Sequence, residues 1–193
     1  MSKKSLEELK NQSAGEQKRL IDRAGEDASR YEMTMRGCCQ STLAGILDNV
    51  ALGPGQLLKA TSAMSAGVAG NGEICGALLA GILCIGLAYG RDNTSEMTRT
   101  SKTYQSARTR AGRLTDRFRA QFGSLRCNDI LTQLHGRPFN LRDPEDYREL
   151  GVPEIHDKCA YITCKQAARM ALEELLAPEP SADELLCPVD TPA

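Results

Sequence analysis

The chain has no Trp, three Phe and two His, and aromatic residues make up 4% of its 193 residues. Stacking platforms for single-stranded nucleic acid need more rings than that. A net charge of −1 gives no general attraction for a polyanion, so no nucleic-acid partner is expected. With only His135 and His156, imidazole chemistry is poorly supplied. No alternating strand pattern and no internal repeat appear. The longest apolar run, residues 74–89, has 16 residues and falls short of the roughly 20 that span a bilayer. The opening Met1-Ser2-Lys3-Lys4 leads into a charged stretch with no apolar leader, so a cytoplasmic location is expected.

Against these absences stand 41% hydrophobic and 25% charged residues, the composition of a soluble globular protein. The length suits one domain with a sizeable core. Eight cysteines are present: Cys38, Cys39, Cys75, Cys84, Cys127, Cys159, Cys164 and Cys187. In a reducing compartment such a number points to metal or redox work rather than a disulfide framework. None forms C-x-x-C, which excludes zinc ribbons, thioredoxin-like dithiols and the ferredoxin cluster run. C-x-x-C-H is absent too, so covalent haem is not expected.

The apolar spacing predicts an all-α bundle of about six helices. Residues 1–35 form a charged helical extension with a thin stripe of Leu6, Leu9, Leu20, Ala24, Ala28 and Tyr31. It reads equally as a solvated arm or as an arm packed on a partner subunit of a homodimer. Residues 36–177 form the cysteine domain. A helix from Cys38 to Val50 ends at Leu52-Gly53-Pro54-Gly55, and a short one follows from Gln56 to Ala66. Residues 74–89 form a buried central helix rich in Gly and Ala. Asp92 or Asn93 caps a long helix whose apolar face runs from Met97 through Leu114 to Phe122. Ser124 caps Leu125–Leu134, and a last helix covers Pro153–Leu176. The tail, residues 178–193, carries four prolines and is expected to be flexible.

Helix geometry sorts the cysteines. Cys75 and Cys84 lie nine apart and point to opposite faces of an α-helix. Cys159 and Cys164 lie five apart, about 140° around it. One member of each pair is therefore the better site candidate. Cys75 and Cys127 open helices, where free N–H groups and the positive dipole end favour thiolate. The competing reading is that each cysteine is a small buried hydrophobe. His156 precedes Cys159 by three residues and can share its face, as a ligand or as a surface or capping residue. His135 suits a helix C-terminus. Gly67, Gly70, Gly72 and Gly76 match no nucleotide loop. Their place is to let backbone N–H groups of Gly70-Asn71-Gly72 approach sulfur.

Several of these segments carry a resemblance. Gly37-Cys38-Cys39-Gln40-Ser41 resembles the first motif of a redox protein family named for its C–GCAxxG–C–C pattern. Asn71-Gly72-Glu73-Ile74-Cys75-Gly76-Ala77, with Leu87-Ala88-Tyr89-Gly90, resembles its central glycine-rich helix. Phe122-Gly123-Ser124-Leu125-Arg126-Cys127 resembles the third motif, and Lys158-Cys159 with Ala167-Ala168 the last. The resemblance spans residues 37–176. This chain has Ala80, followed by Gly81, where the family motif places glycine. The resemblance implies a redox role, electron transfer or thiol redox, at Cys38, Cys75, Cys127 and Cys159. The thiolates of four converging helices could ligate an iron–sulfur cluster, with a dithiol pair or structural zinc as alternatives. Gly72 and Gly76 would support the site. The remaining cysteines would be bystanders. The competing class is a helical assembly or binding module whose cysteines are structural.

Charge is segregated along the chain. Residues 97–126 carry eight basic side chains against Asp116 alone, while residues 143–193 carry twelve acids and four bases. These surfaces either neutralise each other, within the fold or across a dimer, or the basic face docks an acidic electron-transfer partner.

Overall fold

The computed structural model describes residues 3–53 and 56–185. Pro54, Gly55 and Cys187 lie outside the described residues. The α-helices are α1 (Leu6–Lys10), α2 (Ala14–Met35), α3 (Cys38–Leu47), α4 (Gln56–Ala60), α5 (Gly76–Tyr89), α6 (Lys102–Phe122), α7 (Cys127–His135), α8 (Pro144–Leu150), α9 (Pro153–Cys159) and α10 (Lys165–Leu176). Among the described residues the only β pairing is an isolated antiparallel bridge between Ile74 and Arg126. The fold is all-α. It has more helical segments than the expected six, because the N-terminal stretch and the last helix are each divided and α8 forms inside a predicted loop. No helix among the described residues is long and apolar enough to cross a membrane.

Ser5 and Ser13 start α1 and α2 with capping boxes completed by Glu8 and Glu16. α2 is part of the body of the molecule rather than standing apart from it. Its Leu20, Ala24 and Ala28 are buried, and it packs on α3 and α10. The approach to α3 is close because Gly45 has no side chain. A Cβ there would lie 2.6 Å from the Ala28 backbone nitrogen. α5 lies at the centre against α3, α6 and α10, with Ala77, Leu78, Ala80, Cys84 and Ile85 buried. Gly81 takes the close crossing that the family pattern assigns one residue earlier. A Cβ on it would meet Leu114 at 2.9 Å and Ala171 at 3.0 Å.

Two expected helix starts shift, and one expected helix is interrupted. α6 is capped by Ser101, not by Asp92 or Asn93, and Met97 is an exposed residue ahead of it. Asn93 instead caps the 3-10 turn Thr94–Glu96. α7 begins at Cys127 with Arg126 as its cap residue, while the Ser124 hydroxyl accepts from the Arg126 N–H and donates to Asp129. The predicted last helix is interrupted by a π turn, Ala160–Cys164, between α9 and α10.

The basic face of α6 is paired within the chain. Arg113 and Arg117 reach the buried Glu174 on α10, and Arg117 also meets Glu173. Arg110 is fully buried and donates to the carbonyls of Glu174, Ala177 and Pro178 and to Glu179. It also covers the Tyr89 ring at 4.1 Å. Residues 178–184 are thereby held along α6, where Glu184 pairs with Arg113.

Candidate functional site

Three of the four family-type cysteines sit at helix N-termini. Cys38 is the first residue of α3, Cys75 precedes α5, and Cys127 is the first residue of α7. A short backbone pairing joins the last two. Cys75 N–H donates to Leu125 O at 2.9 Å, and Cys127 N–H donates to Glu73 O. Asn128 N–H continues the pairing onto Gly72 O at 3.0 Å. Arg126 and Glu73 add an exposed ion pair beside it. Nothing in the helical periodicity signals this ladder, because it joins the segments where the two helices begin.

Cys38 is placed by a different device. Its sulfur packs on the bare Cα of Gly76, where a Cβ would come within 2.6 Å of it. The Ala66 N–H lies close enough to this sulfur to work against the rise that burial causes. Ala66 belongs to a left-handed turn in which Ala66, Gly67, Val68, Ala69 and Gly70 all have positive φ. Such runs are avoided by L-residues at about 1–2 kcal/mol each, so the surrounding structure holds this one in place. At Gly67 no side chain fits, since a Cβ would lie 2.4 Å from the Glu73 nitrogen.

The expected donors Asn71 and Gly72 do not serve sulfur. Their N–H groups close the loop itself, onto Val68 O and Ala66 O. The N–H groups that favour charge on Cys75 are instead those of Leu78 and Ala77 in the first turn of α5. Gly72 acts by leaving room: a Cβ on it would meet Asn128 at 2.9 Å.

Cys159 ends α9 and Cys164 ends the π turn. The two face different surroundings: Cys159 lines the cavity described below, packed with Leu131 and Leu141, while Cys164 belongs to the main core. Cys164 is buried and its thiol points at Cys38 O, 3.9 Å away. Thr163 donates to Cys159 O at 2.7 Å, and its hydroxyl lies 3.5 Å from the Cys159 sulfur.

Cys38, Cys127 and Cys159 line one partly open cavity of about 350 Å³. Cys75 is not part of its lining, though it lies near enough to raise Cys38, Cys127 and Cys159 further. The cavity has mainly apolar walls, with Ala66, Leu131, Leu141 and Leu150. Glu32 and His156 also face it. His156 is buried, not a surface or capping residue, and its Nε2 is hydrogen-bonded to Glu32 Oε1 at 3.1 Å. Glu32 sits on α2, within the stretch that reads as an extension. Only its place among the buried stripe residues of α2 could have signalled it. His135 ends α7 as expected. Cys39 and Cys84 are fully buried in the main core, away from the cavity.

The described cysteines are all free thiols. Burial pushes every one of them up, contrary to the thiolate state expected from helix N-termini. Cys159 is pushed to about 12 by burial and neighbouring charge, though the Thr163 hydroxyl works the other way. Cys39 and Cys84 are also pushed to about 12 by burial. Burial raises Cys75 as well, against the two N–H groups that lower it. For Cys38 and Cys127, neighbouring cysteines add to the effect of burial. Desolvation outweighs the helix ends in the unliganded protein.

Residues 37–174 match the family described as "Putative redox-active protein (C_GCAxxG_C_C)". The chain belongs to the C_GCAxxG_C_C family. The match starts one residue before Cys38 and ends within α10, so it takes in the cavity, the bridge and the π turn. α1 and α2 precede it, and with them Glu32. No curated protein and no solved structure matches the chain.

Proposed function

We propose that this C_GCAxxG_C_C protein transfers electrons through an iron–sulfur cluster ligated by Cys38, Cys75, Cys127 and Cys159. The observation that carries the reading is the set of four unpaired thiols from four separate segments, three of them lining one apolar cavity and Cys75 close by. A single ion suits this arrangement poorly. Among the described residues no three His, Cys, Asp or Glu side chains are close enough to hold one. Zinc needs all its sulfur ligands within about 2.3 Å of one centre. A cluster distributes its thiolates over separate irons, so spaced thiols around a cavity suit it. Soft thiols are also the donors such a group selects.

When bound, the group supplies one-electron exchange. The chain's own residues would do the rest. Leu131, Leu141 and Leu150 exclude water. The N–H groups of Ala66, Ala77 and Leu78 stabilise charge on Cys38 and Cys75, which tunes the reduction potential. The raised thiols must lose their protons to ligate, so loading releases protons and weakens as pH falls. The partner called for is an electron-transfer protein.

The test is anaerobic reconstitution with iron and sulfide, followed by visible absorption, across single Cys→Ser variants. Variants at Cys38, Cys75, Cys127 and Cys159 should lose absorption, while Cys84→Ser should keep it. Equal loading of all five variants would remove the ligand assignment.

A further inference from the structure

The His156 ring lies between two carboxylates. Its Nε2 is 3.1 Å from Glu32 Oε1 on α2, and its Nδ1 is 3.6 Å from Asp157 Oδ1. The Glu32 and His156 side chains are 7% and 11% exposed, whereas Asp157 is 46% exposed. An ionised carboxylate only accepts, so the contact with Glu32 places the ring hydrogen of a neutral imidazole on Nε2. Nδ1 is then a bare lone pair beside a second acceptor, and it has no hydrogen-bond partner. Neither neutral tautomer suits both nitrogens. A second ring proton does, and it also offsets the charge on Glu32, whose Oε2 is buried without a partner.

The elements around the pair bring the thiols to it. Cys38 comes from α3, Cys75 from the start of α5, Cys159 from α9 and Cys164 from the π turn, and the Glu32 charge works against thiolate at all four. Cys127 and Tyr147 line the same cavity as Glu32 and His156. So does Arg36, which donates to Gly151 O at 2.9 Å. On α10, Lys165 pairs with Glu26 and Arg169 with Asp22, and Lys158 of α9 acts on His135. Coupling between two charged sites is reciprocal. Negative charge gained at the sulfurs therefore strengthens the pair's hold on a proton, most of all where water is scarce.

We infer that the Glu32–His156 pair takes up one proton, at His156 Nδ1, when the thiol-held centre takes up one electron. This deepens the cluster reading and rests on it. The electron comes from the partner protein. The proton comes from water by way of the exposed Asp157 carboxylate, and the only bond formed is N–H. Oxidation returns both by the same routes. Glu32 precedes the residues matched to the family, so α2 adds to the thiols a carboxylate that ties their charge to protons.

Anaerobic redox titration of the reconstituted full chain at a series of pH values tests this, with dithionite as reductant and viologen dyes as mediators. The midpoint potential should fall by about 59 mV for each tenfold drop in proton concentration, over the span in which an imidazole titrates. His156→Gln and Glu32→Gln should each lose more than half of that slope, while His135→Gln keeps it. The second readout is nuclear magnetic resonance of the metal-free chain with nitrogen-15 in its two histidines. The ring signals that His156→Gln removes should show hydrogen on Nε2 throughout and a second on Nδ1 as pH falls, with that uptake moved to lower pH in Glu32→Gln. A potential independent of pH, or a slope that both variants keep, would overturn the inference on loaded samples. A His156 ring that holds one proton down to the pH of unfolding overturns it with or without a cluster. Iron and sulfide are measured on the same samples. Their absence removes the cluster and the coupling together, and the ring signals still report the pair by itself.

Discussion

Cys38 rests on the Cα of Gly76 with no space for another atom. Gly76→Ala is therefore expected to displace the thiol and cost about 1–3 kcal/mol of stability, read as a lower denaturant midpoint at unchanged slope. Gly86→Ala is its control. Nothing lies within 4 Å of that position, and the helix should gain up to about 1 kcal/mol. The raised thiols set a second expectation. A buried thiol pushed up to about 12 stays neutral in the folded chain while the unfolded chain ionises near 8.5. Its contribution is complete below about pH 8.5 and is lost as pH rises towards 12. Urea melts of metal-free protein should show stability falling over that window, and flat stability across it would contradict the burial account. At this scale the sequence exposes the cysteines as candidates, since their number and motif spacing are visible. Glu32 is not visible, because a carboxylate in a charged helix looks like any solvated one until packing buries it.

At the scale of elements, the π turn and the left-handed turn are the two devices that periodicity misses. Both depend on backbone hydrogen bonds that a 3.6-residue pattern does not encode. The π turn leaves no mark on the apolar spacing, yet it divides the predicted last helix into α9 and α10. The left-handed turn is legible only through its glycines, and Val68 hides it, having φ +62 where a β-branched residue is out of place. Val68 is also exposed, so little burial is lost on shortening it. Val68→Gly should stabilise the chain by roughly 0.5–1 kcal/mol, the relief of a left-handed L-residue less the added chain entropy. A thermal melt shifted downward would show that the valine is not strained. Arg110 ties the end of α10 to α6 through three backbone carbonyls. Arg110→Ala strands them and opens a cavity, and should cost roughly 2–4 kcal/mol. Amide exchange should locate the loosening at residues 174–178.

For the whole molecule, the all-α class and the central Gly/Ala-rich helix follow from long apolar spacing that dominates local detail. The place of α2 does not, because its apolar stripe is thin and its burial rests on the small residues Ala24, Ala28 and Gly45. The segregated charges meet largely within the chain, α6 against α10 and residues 179–184. Of the two readings of the segregated charge, that pairing is the one in which the surfaces neutralise each other within the fold. The body so assembled brings three cysteines from distant parts of the chain to one apolar cavity, with a fourth, Cys75, close by. The most direct test of what they do there is the iron and acid-labile sulfide content of the anaerobically reconstituted chain. The account predicts iron and sulfide bound together in near-equal amounts, and lost when Cys127 becomes serine. A folded protein that takes up neither would contradict it.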